Sequence, residues 1–284
     1  MPSPRMSSRR RNQLISLVTH RVLVVAVIAY LLLPFLWMVV YSIYPAEAVQ
    51  RRDPDFSPSQ VTGEAYRNLL SDDSFLQPML NSTIVAVLTT LLCMLLGSTC
   101  AYAIARFKFR GRRSLLLSLM TVQAIPVIVL AVPLFVLLRE MDLYDHILGL
   151  VLTYSAFILP LVVWMMVGFF EEIPDSLLKA ARIDGCSRWQ VLMRIAVPLA
   201  STGMAATAIF AFVTAWSDFF LAKILTGSDA QTLPVKTAGF QGLFAMDYTS
   251  AATAGVITAI PVLILAIAAQ KWLIKGLTEG AVKG

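Results

Sequence analysis

Six long runs of apolar residues, separated by short polar connections, dominate the chain: Val22–Tyr44, Ser82–Ala105, Leu115–Leu138, Ile147–Phe170, Gly203–Leu225 and Thr249–Ile274. About 20 apolar residues in helical conformation cross a ~30 Å hydrocarbon layer, so each run predicts a transmembrane helix. The runs are too long and too continuously apolar for the alternating ~10-residue strands of an outer-membrane barrel. The expected fold is therefore all-α, with six spans in one membrane domain covering residues 1–284. Polar residues interrupt two runs, Tyr154 and Ser155 in the fourth and Ser217 and Asp218 in the fifth. Pro126 and Pro133 in the third run, Pro160 in the fourth and Pro261 in the sixth each remove a backbone donor and predict kinks. Ala251, Gly255 and Ala259 form a small-residue stripe on the sixth helix that admits a close neighbour. Arg5, Arg9, Arg10 and Arg11 ahead of the first run resemble a secretory n-region. The run is longer than the 7–15 residues of a signal core and lacks a clear small-residue cleavage site, so a retained helix is expected.

Composition agrees with this pattern. Hydrophobic residues make up 58% and charged residues 14%, with mean hydropathy +0.74, whereas soluble domains carry about 45–50% apolar and about 25% charged residues. A net charge of +6 and a pI near 9.4 would raise the question of nucleic acid in a soluble protein. The positions of the charges give another answer. Of 23 Lys and Arg residues, 17 fall in the N-terminal segment, the second-to-third and fourth-to-fifth connections and the C-terminal end. By the positive-inside rule that side is cytoplasmic and holds both termini, which predicts a multi-pass membrane protein and no nucleic-acid partner. The opposite side carries Glu47, Asp53, Asp55, Glu64, Asp72 and Asp73, all within segment 45–81. That segment is expected to be the only outer piece long enough for local structure. Cys93, Cys100 and Cys186 are too few for a disulfide framework and read as thiols.

Chemistry is sparse. The two histidines, His20 and His146, stand at membrane borders. There is no H-E-x-x-H, C-x-x-C or G-x-S-x-G, and no G-x-x-x-x-G-K-[ST] to cradle a nucleotide phosphate. A self-contained enzyme is not expected, nor a metal site. What remains is a bundle that conducts, carries or anchors. Polar groups within spans are functional candidates by default, and Gln123, Tyr154, Ser155, Trp216 and Asp218 are those of a substrate pathway.

The connection 171–201 is the most informative stretch. Pro174 suits a first helical position and Asp175 the positive end of a helix dipole. Leu177, Leu178, Ala181 and Ile183 give apolar surface over two turns, and Gly185 can take the left-handed conformation that ends a helix. Ser187 followed by Gln190 is a capping box that starts a second helix carrying Trp189, Leu192, Met193 and Ala196. Pro198 is expected to mark its exit. A hairpin lying on the bilayer, or a DNA-binding helix-turn-helix, shares this pattern; the latter does not suit a place between two spans. A compact hairpin between bendable spans suits docking of a partner that drives their motion.

The segment Lys179-Ala180-Ala181-Arg182-Ile183-Asp184-Gly185-Cys186, with Leu192 and Pro198 downstream, resembles the EAA loop of permease subunits in binding-protein-dependent ABC importers. Asn81-Ser82 at the start of the second span is similar to that family's N-S pair, and Ala215-Trp216-Ser217-Asp218 to its A-W-N-D/E segment. The ending from Lys275 to Gly284 is similar to the K-G-L-T-x-G-A-V-K-G tail of carbohydrate-type, maltose-permease-like members. The resemblance implies a translocation subunit paired with a second permease, two ATP-binding subunits that hold ATP and Mg, and an extracytoplasmic solute-binding protein. No cofactor is implied in this chain. It implies ATPase coupling by Lys179, Ala180, Ala181, Asp184, Gly185, Cys186, Leu192 and Pro198, and contact of Leu277, Thr278, Gly280 and Gly284 with the ATPase pair. It implies a sugar or polyol cargo, for which aromatic faces and amide or carboxylate hydrogen bonds are the usual ligands. The sequence departs from the family where Lys179 replaces the opening Glu and Cys186 the usual Ala. The family Glu is expected to meet a basic ATPase residue, a contact Lys179 cannot make; an acidic residue on the ATPase, or the Glu of the other permease, would restore it. A proton-coupled secondary transporter using Asp218, and a non-transporting anchor, are the alternative readings.

Overall fold

The computed structural model describes residues 8–51, 53–240 and 247–281, with side chains described for residues 19–270 within those limits. Among the described residues all regular structure is helical. The helices are α1 (Ser8–Ser42), α2 (Ala46–Val49), α3 (Glu64–Leu70), α4 (Asp73–Arg106), α5 (Arg112–Val122), α6 (Val127–Glu140), α7 (Ile147–Glu171), α8 (Asp175–Ile183), α9 (Arg188–Val191), α10 (Val197–Leu199), α11 (Ser201–Ser217), α12 (Phe220–Leu225), α13 (Leu233–Gly239) and α14 (Tyr248–Ala281). Two units emerge, one built from residues 1–69 and 240–257, the other from residues 70–239 and 258–284.

In the second unit α4 and α7 form the main contact, and α11 lies against both. Asp72 caps α4 by accepting the N–H of Ser74 at 2.8 Å. The helix then runs 34 residues, about 50 Å at 1.5 Å per residue, which exceeds the hydrocarbon thickness. Its close approach to α7 requires Gly97, where a Cβ would stand 2.6 Å from Val162 Cγ1. Tyr102 meets Phe170 edge-on at 5.5 Å between ring centres. Gly203 of α11 similarly leaves room for the Phe169 ring.

In the first unit α1 meets the start of α14. Thr249 and Thr253 donate to the carbonyls of Tyr44 at 3.3 Å and Ser42 at 3.4 Å. Gly255, from the small-residue stripe, faces Met38, whose Sδ would lie 2.7 Å from an added Cβ. The segment after α1 folds around Phe56, which is flanked by Trp37, Tyr41 and Tyr44 at 5.7, 5.9 and 5.3 Å.

Four helices are long and apolar enough to cross a membrane unbroken: Thr19–Ser42, Asp73–Arg106, Ile147–Glu171 and Tyr248–Gln270. The third and fifth runs are broken where Pro126 and the Ser217-Asp218 pair interrupt them. In the third, α5 and α6 meet at 88° across the stretch ending in Pro126. Proline keeps the preceding residue out of helical conformation. In the fifth, α11 stops at Ser217, Asp218 is extended, and α12 starts at Phe220. A second bend, of 80°, separates Arg188–Leu199 from α11 at Ala200. Pro133, Pro160 and Pro261 stay within helices, as does Pro78. Segment 45–81 holds α2 and α3, and residues 226–239, after the fifth run, also carry a helix, α13. Helix α14 continues to Ala281 rather than ending near Ile274. The side chains of Leu277, Thr278 and Gly280, and all of Gly284, lie outside the described residues.

Candidate coupling hairpin and polar sites within the bundle

The sequence of 174–199 folds as its pattern suggests. Pro174 is the extended N-cap of α8, one position before the first helical place expected of it, and Asp175 opens the first turn. At the far end Gly185 adopts φ +89°, the N–H of Cys186 reaches Ala181 O at 3.0 Å and that of Gly185 reaches Arg182 O at 3.2 Å. These two bonds make a Schellman termination, which needs a residue free of Cβ strain at the left-handed position. Two residues later Ser187 and Gln190 exchange bonds as a capping box, at 2.7 and 3.2 Å.

The second helix holds a feature the sequence pattern did not suggest. Between α9 and α10, residues Leu192–Ala196 bond i to i+5, and the N–H of Val197 reaches Leu192 O. Pro198 has no N–H to offer Arg194 O, so the ladder resets by one residue before it. Pro198 therefore lies inside the helical segment; the exit is at Ala200.

Burial divides the hairpin into two faces. Leu178, Ala181, Val191, Leu192 and Ala196 are buried. Lys179, Ala180, Arg182, Asp184, Gly185 and Pro198 are exposed, and Cys186 is half-buried. Two large apolar residues stand out at the tip, Ile183 at 85% and Trp189 at 56% exposure. The hairpin is tied to the ends of α4 and α7 by Arg106. Its guanidinium bonds Asp175 at 2.6 Å and the carbonyls of Phe170 and Ile173. A cation there satisfies acceptors that the end of α7 leaves open. Arg112 and Glu171 form a second ion pair nearby.

The polar candidates inside the bundle fall into separate places. Tyr154 and Asp218 meet: the buried phenol donates to Asp218 Oδ1 at 2.8 Å, and the same oxygen accepts the N–H groups of Leu221 and Ala222 at 3.1 and 3.2 Å. Asp218 thus caps α12 while binding α7. Trp216 is buried, donates to Thr258 O at 3.0 Å and stacks on Phe212. Ser155 is buried beside α4, where its carbonyl accepts from the Cys93 thiol. Gln123, at the end of α5, donates to Phe157 O at 2.5 Å, adjacent to the carbonyl that Pro160 leaves without a helical donor. Among the described residues no group of His, Cys, Asp and Glu is arranged to hold a metal ion, and the three thiols are free.

At the other end of the bundle lies an arrangement that sequence reasoning touched only at Asn81-Ser82. Buried Asn81 donates to Asp229 O at 2.8 Å and Gln231 O at 3.0 Å, and Ser82 Oγ accepts the Leu233 N–H at 2.7 Å. Asp145, itself at φ +57°, accepts the N–H groups of Asp229 at 3.2 Å and Ala230 at 2.9 Å. Partial burial pushes this carboxyl up, but the backbone donors of residues 227–230 outweigh it and hold it below the usual carboxylate range. Gly227 is needed for the approach, since a Cβ there would lie 2.7 Å from Asp145 Oδ2. The only advance signal was polar residues of turn-forming type at 142, 145 and 227–229.

Residues 93–279 match the family described as binding-protein-dependent transport system inner membrane component. The trehalose transport system permease protein SugB of Mycobacterium tuberculosis is 38% identical over 261 residues, covering 91% of this chain and 94% of that protein. The trehalose/maltose transport system permease protein MalG of Thermococcus litoralis is 35% identical, covering 89% and 92%. Among solved structures, a chain of a bacterial ABC transporter involved in the import of the acidic polysaccharide alginate superposes with a TM-score of 0.76 at 24% identity, covering 95% of this chain and 99% of that one.

Proposed function

Since the chain belongs to the family of binding-protein-dependent transport system inner membrane components, we propose that it is the translocation subunit of an ATP-driven importer for a sugar or related polyol. The observation that carries the mechanism is the hairpin 174–199: a doubly capped pair of short helices, apolar inside, charged and aromatic outside, and tied by Arg106 to the ends of α4 and α7. Such a piece can pass a push from outside the membrane to two long helices without unravelling. In this reading the six runs are six spans within a single domain over 1–284, the third made of α5 and α6 and the fifth of α11 and α12. The hairpin side is cytoplasmic with both termini, and the membrane is a bacterial-type cytoplasmic one. The partners are a second permease, two ATP-binding subunits and an extracytoplasmic solute-binding protein. ATP and Mg reside on the ATP-binding subunits, whose closure supplies the work.

This chain's own residues then act in three places. Asp184, Gly185, Ile183 and Trp189 form the docking tip, with Lys179, Ala180 and Cys186 beside it; Ala181 and Leu192 hold it together from inside. The breaks at 123–126 and 218–219 give the third and fifth spans halves that can reorient separately. Tyr154 and Asp218, which meet, and Gln123, Ser155 and Trp216, each at its own place in the bundle, line or brace the path of the cargo. Relatives are named for the transport of trehalose, diacetylchitobiose and trehalose/maltose, and a disaccharide is the cargo class to try first.

The test is reconstitution with the partner permease, ATP-binding subunits and binding protein. Uptake of labelled trehalose or maltose should require ATP and persist with a protonophore present. Asp184→Arg at the tip should abolish uptake while leaving the membrane subunits assembled. Uptake that survives Asp184→Arg, or that collapses with the protonophore while ATP is present, would refute the reading; the latter would favour a proton-coupled carrier.

A further inference from the structure

Between the end of α4 and the hairpin lies a notch of about 170 Å³ whose wall includes Tyr102, Arg106, Asp175, Lys179, Arg182 and Arg188. Four cationic side chains converge on this space with a single carboxylate. That carboxylate, Asp175, is already bonded to Arg106. Among the described residues Lys179, Arg182 and Arg188 form no ion pair. Arg188 is held by the face of the Phe107 ring, 5.1 Å from its guanidinium carbon, a contact that fixes the cation without neutralising it. The Nε of Arg106 is buried and has no hydrogen-bond partner. A cavity with several convergent cations and a spare buried donor is complementary to an anion. Its volume suits one carboxylate side chain with a few waters, at about 30 Å³ per water.

We propose that this notch receives an acidic side chain of the ATP-binding partner, so that the coupling contact of this chain runs from cation on the permease to carboxylate on the ATPase. The proposal rests on the reading of the hairpin as the docking piece. Lys179 and Arg182 lie one turn apart on the same face of α8, and Ile183 and Trp189 project from the tip beside them. Arg182 and Arg188 of the notch wall are the immediate sequence neighbours of Ile183 and Trp189, so a protein that grips the exposed apolar tip meets these cations as well. A planar guanidinium pair then offers a carboxylate a geometrically specific seat. The charge pattern also excludes a basic side chain from the same place, which selects among ATP-binding subunits.

The experiment uses the assembled complex in nanodiscs of phosphatidylcholine, with and without phosphatidylglycerol. Zero-length carbodiimide cross-linking should join Lys179 to an Asp or Glu of the ATP-binding subunit, identified by mass spectrometry. Lys179→Glu with Arg182→Glu should weaken retention of that subunit by about ten-fold or more at low salt, with the difference shrinking at high salt; Lys179→Arg should retain it. Ile183→Asp reports on the docking reading separately. If Ile183→Asp releases the subunit while the double charge reversal binds as wild type at every salt, the notch proposal falls and the docking reading stands. If neither variant matters, both fall. If the charge reversal instead costs only bound phosphatidylglycerol, the notch is a lipid-headgroup site and the proposal is overturned.

Discussion

Asp145 fastens the segment after α12 to the turn before α7, and removing it tests whether that fastening is real. Its carboxylate accepts at 3.2 and 2.9 Å from Asp229 and Ala230, and the amides of Gly227 and Ser228 also point their charge toward it. A hydrogen bond to a charged acceptor contributes about 1.5–3 kcal/mol, and solvent screening at this partly exposed site reduces the sum, so about 2 kcal/mol is a fair total for the segment. With 1.4 kcal/mol per ten-fold, Asp145→Ala should speed hydrogen exchange of amides 228–230 by about 30-fold. Asn81 and Ser82 hold the next residues independently, so the amide of Leu233 should keep its wild-type rate. Asp145→Asn, which keeps one acceptor oxygen and loses the charge, should fall between. The sign of the pH dependence follows from the lowered carboxyl. Its contribution is complete above the ordinary carboxylate value of about 4 and fades only as pH drops through the lower folded value. Protection corrected for intrinsic rates should therefore be flat from pH 5 to 8. Unchanged exchange at 228–230 in Asp145→Ala, or equal acceleration at Leu233, would refute the reasoning.

Gly97→Ala should lower the melting temperature in detergent, by the equivalent of about 1–3 kcal/mol for overpacking, because its Cβ would meet Val162 Cγ1 at 2.6 Å; a second change, Val162→Ala, should restore most of it. Gly185→Ala meets no neighbour but must adopt φ +89°, a cost of about 1–2 kcal/mol that should appear as faster exchange of the Cys186 amide, with Gly185→Asn milder. Arg106→Ala removes the three bonds that tie α4 to the end of α7, to Ile173 and to Asp175 of the hairpin and should uncouple ATP hydrolysis from uptake while assembly persists, measured as the ratio of the two rates.

The hairpin was the most legible part of the molecule because its determinants are local. A left-handed glycine, a Ser/Gln capping box and a proline ahead of an acidic first turn act within four residues, and each is visible in the chain order. The reset of the ladder at Leu192–Ala196 escaped, since proline alone does not say whether a helix ends or shifts its bonding. Pro126 and Ser217-Asp218 marked where the third and fifth runs are interrupted, but how sharply they break was not legible, for a related reason. Hydropathy reports that a segment prefers lipid, and it is indifferent to whether the segment crosses straight or in two pieces.

The candidate pathway residues show the limit more clearly. Intramembrane polarity pointed to Tyr154, Asp218, Trp216, Gln123 and Ser155 alike, yet only Tyr154 and Asp218 meet, across 64 positions of sequence. The order of residues by itself determined the membrane environment, the helical class and the two capped rods, because apolar run length and short-range capping are properties of neighbours along the chain. Which polar groups pair, where Asp145 and Asn81 fasten residues 227–231, and that four cations converge on one notch were decided by tertiary structure alone. Those contacts join residues far apart in sequence, and their energies exist only once the helices are packed.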